Sequence, residues 1–184
     1  AYTQWIQAKP DLNPWIGAQA CARVSELRHS SLKETQVALE VIDWATKRYE
    51  THPAVTVVLN ARAKILLAEK RPEEVGPLYE ANWERFAVSG RAQPCTIAVW
   101  YWCKALEAEG KQEKIAPLLR KSLLEFAPLL DESAQSGFDG MATDWIYMRL
   151  NQALIEEGKD SEAVRWAKLR FALCKFEQAR IERA

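Results

Sequence analysis

Two histidines, His29 and His52, and four cysteines, Cys21, Cys95, Cys103 and Cys174, are the side chains of this 184-residue chain best suited to chemistry. Nucleophilic catalysis would need a thiol or hydroxyl beside a histidine that an acid orients. The local sequence suggests no such Ser-His-Asp or Cys-His arrangement. His29 falls at the end of a helical stretch and His52 precedes Pro53, positions where a histidine caps a helix or meets its dipole. No cysteine has another within four residues, so the paired-cysteine knuckle of a zinc site is absent. Each lies among apolar residues, as in Trp100-Tyr101-Trp102-Cys103, which predicts buried free thiols in a reducing compartment. The carboxylate pairs Glu73-Glu74 and Glu156-Glu157 fall at turns, where solvation and the helix N-terminal dipole account for them. Gly137-Phe138-Asp139-Gly140 carries a single Asp, which suits a helix N-cap better than a cation loop. No glycine-rich phosphate loop and no His-Glu-x-x-His or Glu-x-x-His spacing occurs. No catalytic residue, metal ligand or cofactor is expected, and the chain reads as a protein without enzymatic chemistry.

Composition narrows the rest. With 25 basic and 25 acidic residues, the formal net charge is zero, which argues against binding nucleic acid through bulk charge. The last 26 residues are more basic: Lys159, Arg165, Lys168, Arg170, Lys175, Arg180 and Arg183 face only four carboxylates. Ion-pair spacings such as Glu162 with Arg165 mark that segment as a solvated helix face. No apolar run is long enough to insert into a membrane, and residues 1–9 lack the pattern of a signal peptide. An intracellular, cytoplasmic location is therefore expected. With 48% apolar residues, residues 1–184 can form a single domain with a sizeable core. The eight tryptophans are the compositional excess that needs explaining.

Apolar residues recur with helical period. Val37, Ala38, Val41, Ile42, Ala45 and Tyr49 form one stripe; Val75, Leu78, Tyr79 and Phe86 form another; Ile115, Leu118, Leu119 and Phe126 form a third, with Ser122 on it. The chain also repeats itself. A shift of 40 residues places Lys64 on Lys104, Leu66 on Leu106, Glu73 on Glu113, Pro77 on Pro117 and Phe86 on Phe126. A shift of 48 places Ala105-Leu106 on Ala153-Leu154 and Glu109-Gly110-Lys111 on Glu157-Gly158-Lys159. Four helix–turn–helix units are predicted, at about 14–51, 55–88, 95–130 and 141–180, turning near Ser30, Lys70, Gly110 and Gly158. Gly110 and Gly158 suit left-handed C-caps. Ser31-Leu32-Lys33-Glu34 suits a capping box. Pro77 and Pro117 share a repeat position, implying a shared helix start near residues 73 and 113.

Helix pairs of this kind, with small Ala63 in a first helix and Val75 and Tyr79 in a second, resemble the tetratricopeptide family. The repeats run 40–48 residues against about 34 in that family. The resemblance implies an all-α fold: an α-solenoid of about four antiparallel helix pairs, wound into a right-handed superhelix whose concave face is lined by the first helices. By the family's register, Asn60 and Lys64, Trp100 and Lys104, and Met148 and Gln152 face inward. It also implies a function, as an interaction module or scaffold that binds a peptide or helix of a partner protein on that face. Among consecutive aromatics 100° apart, at least one must approach a surface, and Trp100 is the one placed on the binding strip. Two alternatives stand beside this reading: a ligand-sensing or regulatory segment of a larger protein, and an RNA scaffold. The second rests on Val99-Trp100-Tyr101-Trp102-Cys103, similar to the aromatic first helix of half-a-TPR repeats.

Overall fold

A computed structural model describes the backbone of residues 9, 12–133 and 140–181 and the side chains of residues 9, 12–126 and 144–172. The Asp139 cap, Trp5, and the side chains of Cys174, Lys175, Arg180 and Arg183 lie outside the described residues.

Among the described residues every regular element is helical. The helices are α1 (Pro14–Ser30), α2 (Thr35–Arg48), α3 (Val55–Ala68), α4 (Val75–Glu80), α5 (Trp83–Ala87), α6 (Ala92–Ala108), α7 (Ile115–Ser133), α8 (Gly140–Glu156) and α9 (Asp160–Ile181). They divide into two compact bodies, Ala1–Glu109 and Gly110–Ala184. The division falls inside the third predicted unit. In the first body α3 packs on both α1 and α2, and α6 packs on both α3 and α4. Helices α3 and α6 are thus each held against two earlier helices. The core there includes Ile42, Leu59, Ile65, Leu66, Tyr79 and Phe86, all sealed from solvent. In the second body α8 packs on α7 and α9, around Leu119, Phe126, Ile146 and Leu150.

Repetition in sequence becomes repetition in backbone. A single 3₁₀ turn, Pro72–Glu74 or Gln112–Lys114, precedes α4 and α7, so both helices start 40 residues apart, at Val75 and Ile115. Pro77 and Pro117 therefore fall in a first turn, where the missing N–H costs little. Lys70 (φ 59°), Gly110 (φ 71°) and Gly158 (φ 71°) occupy one repeat position, and all three are left-handed. At two of them the same cap closes the helix: Arg71 N–H donates to Leu66 O (2.9 Å) and Lys159 N–H to Leu154 O (2.7 Å), the six-to-one bond of a Schellman motif. Lys70 holds this conformation without glycine's freedom. Lys70→Gly should therefore raise stability by about 0.5–1 kcal/mol, read as a higher thermal midpoint. An unchanged or lower midpoint would contradict this account of the turn.

Two expectations need correction. The capping box does not form. Ser31 ends α1, Lys33 is left-handed, and the Glu34 carboxylate pairs with Arg28, so no side chain caps α2. The second helix of the second pair is also not continuous: it breaks at Ala81–Asn82 between α4 and α5. Asn82 Nδ2 donates to Leu78 O (2.8 Å), giving the backbone a local alternative to the helical ladder. At the matching position Ser122 donates to Leu118 O (2.8 Å), and α7 runs on unbroken.

Candidate functional site

Helices α1, α3 and α6 line one cleft of about 210 Å³ in the first body. Helix α1 contributes Gln19, Ala22 and Glu26, and α3 contributes Val57, Asn60 and Ala61. Helix α6 contributes Gln93, Pro94, Ile97 and Tyr101. Spacings of three, four and seven residues put each set on a single stripe of its helix. Gln19 and Gln93 lie two turns along their helices from Glu26 and Tyr101, so amides mark one end and a charged cluster the other. Ala22, Val57, Ala61 and Ile97 give the middle an apolar lining.

The charged end joins two helices. Lys64 Nζ on α3 meets Glu26 Oε2 on α1 at 2.9 Å, and Arg23 approaches the same oxygen at 3.5 Å. Two cations share one carboxylate, which leaves this end net positive. Beside it the Tyr101 phenol is pushed up to about 12, first by burial and then by the Glu26 charge. It therefore stays a protonated hydroxyl at neutral pH, a donor facing the cleft.

The predicted strip is only partly assembled. Asn60 is 6% exposed and its amide is already engaged: Nδ2 donates to Pro94 O (2.9 Å) and Oδ1 accepts from Tyr79 Oη (3.0 Å). It ties α3 to α4 and α6 at the cleft wall. Lys64 reaches the cleft's charged end. Trp100, 39% exposed, does not line the cleft; its ring lies against Tyr101, with centroids 4.8 Å apart. Lys104 pairs along its own helix with Glu107 (3.0 Å). Met148 and Gln152 lie on α8 in the second body; Met148 is exposed and Gln152 donates to Glu156 (2.8 Å).

The residues that sequence reasoning missed had a signal. Val57 and Ala61 fall on Ile97 and Tyr101 at the same 40-residue shift that revealed the repeat. The family register pointed to Asn60 and Trp100, one residue and so about 100° away.

Other groups that could do chemistry are held out of it. His29 Nδ1 lies 3.1 Å from Thr35 Oγ1 and 3.4 Å from Glu69 Oε1. Hydroxyl and acid meet the same ring nitrogen, whereas a triad needs them on opposite ones. His52 Nδ1 accepts from Ala54 N–H (3.0 Å) at the start of α3. Burial pushes the Cys21 and Cys95 thiols up to about 11, so neither forms an appreciable thiolate at neutral pH. Among the described residues no cluster of His, Cys, Asp and Glu could hold a metal ion.

Compared with protein-family models, curated proteins and solved structures, the chain matches none. The functional reading rests on the cleft itself. Among the described residues no helix is long and apolar enough to cross a membrane.

Proposed function

We propose that this chain is an interaction module of the tetratricopeptide-like kind, a right-handed solenoid of antiparallel helix pairs that binds a segment of a partner protein. The cleft formed by α1, α3 and α6 is the observation that carries the reading. First helices of successive pairs lining one groove is the arrangement a superhelical array uses to hold a peptide. The left-handed position shared by Lys70, Gly110 and Gly158 supports the repeat reading.

The lining supports a ligand class. A short apolar middle takes one or two aliphatic side chains. The amides of Gln19 and Gln93 suit a peptide backbone, since each offers both donor and acceptor. The Arg23–Glu26–Lys64 end, two cations on one carboxylate, favours an acidic side chain or a C-terminal carboxylate. The module acts as a scaffold by recognition, not by catalysis, and works in the cytoplasm; the buried thiols of Cys21 and Cys95 fit a reducing compartment.

Affinity purification of the intact chain followed by mass spectrometry tests this. Ile97→Arg, which fills the apolar middle with a charge, and Lys64→Glu, which reverses the charged end, are each expected to weaken capture of the same protein by about tenfold or more. Both should leave the circular-dichroism melt unchanged. Undiminished capture by both variants would refute the cleft as the binding site. Capture abolished by ribonuclease would favour the RNA scaffold instead.

A further inference from the structure

The second body carries a groove that the repeat itself interprets. It is about 490 Å³, lies between α8 and α9, and is lined by Asn151, Ile155, Asp160, Ala163, Val164 and Ala167. Ile155 and Val164 are 59% and 50% exposed. The successive shifts of 40 and 48 residues place these positions on Ala63, Leu67, Pro72, Val75, Gly76 and Tyr79 of the first body. There the equivalent groove is filled. Helix α6 packs on α3, on α4 and on the 3₁₀ turn at Pro72. Its Trp102 lies over Gly76, where a Cβ would sit 3.2 Å from the indole nitrogen, and stacks on Tyr79 with centroids 6.0 Å apart. One groove in the molecule thus shows what the other is shaped to receive: a helix with a large aromatic at its centre.

Two features specify the occupant. Ala167 stands where Tyr79 stands in the filled groove, leaving room for a full ring. Exposed Asp160 and Lys168 lie eight residues apart on α9, about 12 Å along the axis, so opposite charges at that spacing complement the rim. We propose that the α8–α9 groove is a docking site for an amphipathic helix of a partner protein, anchored by a tryptophan and flanked by one base, facing Asp160, and one acid, facing Lys168. It is distinct from the cleft on α1, α3 and α6.

The probe is a synthetic peptide of about 18 residues carrying that tryptophan and those charges, hydrocarbon-stapled because an isolated helix of this length is marginal in water. Titrated into the intact chain, it is expected to shift the amide resonances of Ile155, Val164 and Ala167, while Gln19 and Ile97 stay unmoved. Replacing its tryptophan by alanine should weaken binding by about tenfold or more, replacement by phenylalanine less, and replacing both charges by glutamine by a few-fold. Val164→Asp in the protein should abolish the shifts; Ala167→Arg, at a second exposed position, gives the same answer if Val164→Asp fails to fold. Absence of shifts at millimolar peptide would overturn the proposal. So would equal binding of the alanine peptide, or sedimentation showing that Val164→Asp dissolves a dimer, since the face would then belong to a second copy.

Discussion

Trp102→Ala should cost the first body about 4 kcal/mol, close to the upper end for a buried aromatic. The ring stacks on Tyr79 at 29° between planes and meets Trp83 nearly edge-on at 5.7 Å. Tyr79 in turn meets Phe86 edge-on at 5.6 Å. Four aromatics from α4, α5 and α6 therefore form one cluster, and such contacts add to the burial each ring supplies. The site cannot collapse when the indole is removed, because Gly76 beneath it has no side chain to fill the space. The cavity remains, and its cost adds to the lost transfer energy. Urea unfolding should show the midpoint falling sharply with little change in slope. Trp102→Phe should recover part of the loss. A change below about 1.5 kcal/mol for the alanine variant would mean that α6 is not seated on α4 as described.

Asn60→Ala should cost about 3 kcal/mol, although the residue looks polar and replaceable in the sequence. Its amide holds Pro94 O at the start of α6 and the Tyr79 hydroxyl on α4, so one side chain on α3 ties three helices. Tyr79 Oη is sealed from solvent, and burial pushes the phenol well above its ordinary range. Removing Asn60 strands the buried Tyr79 donor, worth about 1–3 kcal/mol when left unpaired, and takes from Pro94 O the bond that ties α6 to α3. The coupling is specific. Tyr79→Phe should cost about 1–2 kcal/mol in the native chain, where it orphans Asn60 Oδ1, and close to nothing once Asn60 is alanine. A double-mutant cycle in urea measures this. Additive losses would show that the two side chains are not partnered.

How much was readable in advance follows from which physics repeats. Helical period, the turns at Lys70, Gly110 and Gly158, and the paired helix starts at Val75 and Ile115 are local, and the sequence displays them twice. The break at Asn82 was hidden because it depends on one side chain choosing a carbonyl four residues back, a choice Ser122 also makes without breaking its helix. The failed capping box was hidden for a similar reason. Glu34 has two calls on its carboxylate, and Arg28, six residues earlier, takes it.

In the cleft, residue types did not reveal the direction of each stripe. Trp100 and Tyr101 are both large and aromatic, and only packing on α3 decides that Tyr101 lines the cleft while Trp100 lies at its side. The tryptophan excess resolves in the same way. Trp83 and Trp102 fill the contact between α4–α5 and α6. Trp15 lies beneath the Arg91 guanidinium, 4.0 Å from the ring centre, a cation–π contact joining the starts of α1 and α6.

The central claim is that α1, α3 and α6 jointly hold a partner segment, and site-specific photo-crosslinking tests it most directly. A benzophenone amino acid at Gln93, which lines the cleft at the surface of α6, should on irradiation join the chain to one discrete partner protein. The same group at Glu40, on the exposed face of α2, should not. Crosslinks to that partner from Glu40 and none from Gln93 would contradict the account.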